Sequence, residues 1–93
     1  MMFIGTLRVD LFIPASNSLK YRRQVLKSIK EKIRRNFNVG IGEEALEKWQ
    51  RARIFIVGTN GDKLHLERVF SSIEKMLGLS REIEIIDTER EFF

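Results

Sequence analysis

Phe3-Ile4-Gly5-Thr6-Leu7-Arg8-Val9-Asp10-Leu11-Phe12-Ile13-Pro14 alternates down its length and then stops at a ring. Phe3, Leu7, Val9, Leu11 and Ile13 share one side of an extended chain, with Gly5 among them, and Thr6, Arg8 and Asp10 share the other. A period of two over eleven residues specifies a strand with one buried face. Pro14 ends it, and Ala15 to Asn17 form a short loop.

The period then changes. From Ser18 to about Asn36 the apolar residues Leu19, Leu26, Ile29 and Ile33 recur at helical spacing, and Phe37 closes the segment. Ser16 or Ser18 supplies the cap. Phe37 to Gly58 reads as a hairpin. Val39 and Ile41 alternate with Asn38, Gly40 and Gly42, a polar connection runs from Glu43 to Lys48, and Trp49 leads into Ala52, Ile54 and Ile56. Trp49 is expected to pack over the end of the core. Asn60-Gly61-Asp62 turns the chain and caps a second helix striped by Leu66, Val69, Phe70, Ile73 and Leu77, which Gly78 stops. Glu82 to Asp87 is the last strand, and a charged tail ends in Phe92-Phe93, docked on the core edge or frayed.

Strand, helix, strand, strand, helix, strand is the split βαβ order. Right-handed crossovers place the first and third strands together in the middle of the sheet. The expected fold is therefore α+β, a ferredoxin-like sandwich over residues 1–93 with a four-stranded antiparallel sheet and both helices on one face.

The 93 residues carry 17 Lys and Arg against 13 Asp and Glu, a formal charge of +4, but the excess is local. Residues 1–36 hold nine cations and two acids, whereas residues 37–93 hold eight cations and eleven acids. Lys20, Arg23, Lys27, Lys30 and Arg34 follow one another at intervals of three and four, so they line one face of the first helix. Glu31 is the sole acid between Ser18 and Asn36. Like charges so placed repel, and closely spaced phosphates would relieve that repulsion. The row is therefore expected to hold RNA phosphates, with Arg22 and Arg35 as flanking contacts, although Arg22 lies toward the buried side of the helix.

The open sheet face offers a second reading. Arg8, Asp10, Phe12, Arg53, Phe55 and Val57 point away from the helices. Phe12, Arg53 and Phe55 would serve a protein contact or a homodimer, or would stack single-stranded bases. Pairing of Glu84 with Arg8, and of Asp10 with Arg53, would make the face a neutral ladder instead.

Catalysis finds little support. The chain has no Cys and one His, so thiol chemistry, disulfides and a poly-histidine metal site are excluded. It contains neither a P-loop nor G-x-G-x-x-G. His65 has no nucleophile or base paired with it, and Glu43, Glu44 and Glu47 lack the ordered spacing of a metal site. Acylphosphatases share the fold class but carry Arg in a glycine-rich loop after the first strand. Here that loop is Pro14-Ala15-Ser16-Asn17. No cofactor is implied. No apolar run is long enough to span a membrane, and nothing resembles a signal peptide, so a cytoplasmic setting is expected.

Several segments together resemble the YlxP-like family of small bacterial proteins. They are Leu7-Arg8-Val9-Asp10-Leu11 and Ile13-Pro14, Ser18-Leu19-Lys20, Arg22-Arg23 and Lys27-Ser28, Phe37-Asn38-Val39, Trp49-Gln50-Arg51-Ala52, and Asp87-Thr88-Glu89-Arg90-Glu91. Tyr21 departs from the usual Glu, and Phe12 from a frequent His. The resemblance implies a ferredoxin-like fold, no established function, a bacterial cytoplasmic setting, and genes that often lie near those for translation and ribosome maturation.

Overall fold

The structure, a computed structural model, describes residues 1–44 and 46–93. Ala45, inside the expected polar connection, lies outside the described residues. The order is β1 (Phe3–Phe12), α1 (Leu19–Asn36), β2 (Gly40–Glu44), β3 (Arg51–Asn60), α2 (Lys63–Gly78) and β4 (Glu84–Phe92). All neighbouring strands are antiparallel, in the order β2-β3-β1-β4. The α+β ferredoxin-like arrangement follows, with β1 and β3 in the centre.

Alternation does the sorting. Leu7, Val9 and Leu11 of β1 and Ala52, Ile54 and Ile56 of β3 are buried under the helices. Val25, Leu26, Ile29 and Ile33 of α1, Phe70, Ile73 and Leu77 of α2, and Ile83 ahead of β4 complete the core. Gly5 is needed where β1 passes beneath α2. A Cβ there would sit 3.0 Å from the rings of both Phe70 and Phe92, which lie with centroids 6.0 Å apart.

Ser18 makes the helix cap, its Oγ accepting from the Tyr21 amide at 3.1 Å, whereas the Ser16 hydroxyl donates to the Ser18 carbonyl. Asp62 caps α2 by accepting from the Leu64 amide at 3.0 Å.

Some expectations need correction. Leu19 is 42% exposed and Val25 takes the buried place, because the buried apolar stripe begins nearly two turns later than the first leucine. Trp49 is half-exposed and stands outside the core cluster. Gly78 ends α2 without a left-handed cap, since no described residue has positive φ. The charged tail is strand, not fringe: β4 runs on to Phe92, and Phe93 exchanges both backbone hydrogen bonds with Ile4 at 2.8 and 3.0 Å. Charged side chains hid that strand because every second one points to solvent.

Candidate functional site

α1 lies on the outer layer of the sandwich, and its eighteen residues make a rod about 27 Å long. Burying Val25, Leu26, Ile29 and Ile33 turns the opposite side outward, so Lys20, Arg23, Lys27 and Arg34 are exposed on it. Among the described residues none of these four takes part in an ion pair. Lys30 differs. Its Nζ lies 2.6 Å from Oε1 of Glu43 on β2, so the row is interrupted at its fourth member. Arg23 shares a shallow cleft with Leu26, Glu43 and Glu44, so acids from β2 flank one side of the row.

The helix ends deepen the contrast. Arg34 and Arg35 in the last turn favour the negative end of the helix dipole. The first turn contains no acid. Lys20, and Arg23 one turn further in, therefore face the positive end of the dipole, which an anion would offset.

Arg22 is not a surface contact. It is 8% exposed, and its Nη1 donates to the carbonyls of Leu46, Lys48 and Arg51 at 2.9, 3.0 and 3.2 Å. The guanidinium thus holds the segment between β2 and β3 against α1 through its Nη1. Helical spacing puts Arg22 toward the interior but gives no sign of these acceptors, because backbone carbonyls leave no mark in a sequence.

The open sheet face is organised differently. Thr6 stands opposite Val57, Arg8 opposite Phe55, Asp10 opposite Arg53 and Phe12 opposite Arg51. Phe12 is half-buried with the Arg51 guanidinium 5.7 Å above its ring centre. Phe55 is 42% exposed. Asp10 accepts from both Arg53 Nε, at 2.7 Å, and Arg8. These bonds, the one from Arg53 foremost, hold the Asp10 carboxyl below its ordinary value against the opposing effect of desolvation. The same bonds push the Arg8 and Arg53 guanidiniums upward.

Arg8 also reaches Asp87 at 3.1 Å and Glu89 at 3.4 Å. Glu84, expected to face Arg8, stands opposite Phe12 instead. The register shift explains this. Asp10 pairs with Asp87 and Leu11 with Ile85, so Ile86 bulges out and moves the acids along by one position.

Fold and site together define a small α+β sandwich with one exposed cationic helix and a charge-paired open sheet. The chain belongs to the family described as "Protein of unknown function (DUF503)", whose model matches residues 4–90. It is 30% identical over 91 residues to the uncharacterized protein YlxP of Bacillus subtilis (strain 168), covering 97% of this chain and 99% of that one. Among solved structures, the de novo designed protein Foldit4 matches at TM-score 0.57 and 18% identity, over 100% of this chain and 97% of that one. Protein YJCS matches at 0.54 and 13%, over 95% and 96%. A C-terminal segment of the alpha subunit of aIF2 from Pyrococcus abyssi matches at 0.52 and 22%, over 97% and 49%. At these identities the structural likeness concerns the fold alone. No described helix is long and apolar enough to cross a membrane.

Proposed function

We propose that this chain is a non-catalytic RNA-binding accessory protein of the bacterial cytoplasm, associated with ribosome maturation or translation. It holds phosphates along the outer face of α1. The observation that carries the reading is the set of exposed cations Lys20, Arg23, Lys27 and Arg34, without ion pairs among the described residues, on a helix whose first turn lacks any acid. Lys30 contributes less, because Glu43 must be displaced before it can reach a phosphate. Such contacts position a polyanion without reading its sequence.

The test is RNA binding by filter retention across a salt series, with Lys20→Ala and Lys27→Ala as variants. Each should lower affinity and reduce the slope of log K against log salt by about 0.7–0.9. Unchanged affinity and slope in both variants would remove the proposal.

A further inference from the structure

We propose that the open sheet face is covered by a second copy of this chain, packed sheet to sheet about a two-fold axis that runs parallel to the strands. The proposal is independent of the polyanion reading, which uses the opposite side of the molecule.

Four observations carry it. First, Ile4, Phe55, Val57 and Phe93 are 42–68% exposed on this one face, toward the end where Phe93 pairs with Ile4. Second, Gly42 has no local reason to be glycine. Its φ is not positive, and a Cβ built there meets nothing within 4 Å, so even Phe55 across the ladder does not shelter it. A glycine inside a strand weakens that strand, and it marks a place where another surface comes close.

Third, the face is self-complementary in one orientation. An axis parallel to the strands sets β3 of one copy over β1 of the other and keeps each row at its own height. Val57 then meets Thr6, Phe55 meets Arg8, Arg53 meets Asp10 and Arg51 meets Phe12, the same partners that already match within the chain. The acidic β4 edge, with Glu89 and Glu91, falls over Gly42 and Gly40 of the other copy. An axis across the strands would instead stack β4 on β4, acid on acid, and β1 on β1, which sets Arg8 on Arg8 when the axis passes through the Arg8–Phe55 row. Fourth, the area suffices. Strands of ten, ten, nine and five residues cover about 540 Å² in plan at ~3.3 Å per residue and ~4.8 Å per strand. Two such faces, corrugated by side chains, reach the roughly 1,200 Å² at which specific contacts begin.

Light scattering on the full chain, diluted from about 500 μM to about 1 μM, reads the association directly over the range this contact area supports. The expected mass at the high end is twice the 11.0 kDa of one chain. Gly42→Glu and Phe55→Glu should each raise the dissociation constant at least about tenfold with an unchanged circular dichroism spectrum, and Lys27→Ala should leave it unaltered. Orientation is read from single-cysteine variants of this cysteine-free chain. Gly42→Cys and Glu89→Cys proteins, mixed and oxidised, should cross-link to each other in preference to themselves. A monomer at every concentration, an unshifted dissociation constant in Gly42→Glu, or self-linked Gly42→Cys would each overturn the proposal. So would a Phe55→Glu variant that loses RNA affinity at constant mass, because the face would then belong to bases.

Discussion

The two broad surfaces of this sandwich handle charge in opposite ways. On the open sheet, Arg8 and Arg53 are surrounded by Asp10, Glu44, Asp87 and Glu89, and each has a carboxylate in reach, while Arg51 lies over the Phe12 ring. On α1, among the described residues, Lys30 alone of the five-residue row is paired. A strand lets its neighbours deliver opposite charge at each row, because cross-strand residues stand side by side. The outer face of a helix has neighbours mainly along itself, with β2 reaching only its edge at Lys30, and here the sequence places a single acid among eight cations. The difference teaches where unspent charge is stored, and therefore where the proposed polyanion would bind.

The comparison breaks most severely at Arg22, the α1 cation that behaves like a core residue. Arg22→Met keeps the stem and removes three hydrogen bonds to carbonyls. Urea denaturation should show a loss of about 2–3 kcal/mol, whereas the neighbouring Arg23→Met should change stability by less than about 0.5 kcal/mol. Second in size is the binding side of the contrast. Lys20→Ala combined with Lys27→Ala should weaken RNA binding by about 10–30-fold at low salt with no loss of melting temperature, since each removed charge repels Arg23 between them.

The sheet ladder answers to acid. Because the folded state holds Asp10 below its ordinary value, its contribution to stability is complete above the unfolded value near 4 and is lost as pH falls through the folded one. Asp10→Asn should lower stability by about 1 kcal/mol at pH 7, a figure kept small by solvent screening, and it should flatten the melting-temperature profile below about pH 4. The smallest effect sharpens the comparison instead of breaking it. Glu43→Gln releases Lys30 and completes the row, so RNA affinity should rise about two- to threefold while stability moves by less than about 0.5 kcal/mol.

Much of this architecture is legible in the residues. Period two from Phe3 to Ile13 and the apolar stripes of both helices decide the layers, and the strand order follows from handedness. The outward set of Arg8, Asp10, Phe12, Arg53 and Phe55 also emerges from alternation alone. What escapes is whatever depends on a neighbour distant in the chain. Glu43 reaches Lys30 across thirteen residues, and no local pattern signals it. The bulge at Ile86 shifts Asp87 and Glu89 onto Arg8, and a bulge leaves alternation looking intact on both sides. Tail and strand look alike when half of the side chains are charged, which is why β4 extends past the expected end at Asp87.

The Arg22 clamp has an evolutionary corollary. It grips the stretch from Leu46 to Arg51 by main-chain oxygens, and any amino acid supplies one. The grip itself consequently constrains the length of that loop and not the side chains at its acceptors. Across relatives, Leu46 and Lys48 should mutate readily, while insertions or deletions that move those oxygens off the guanidinium should be purged.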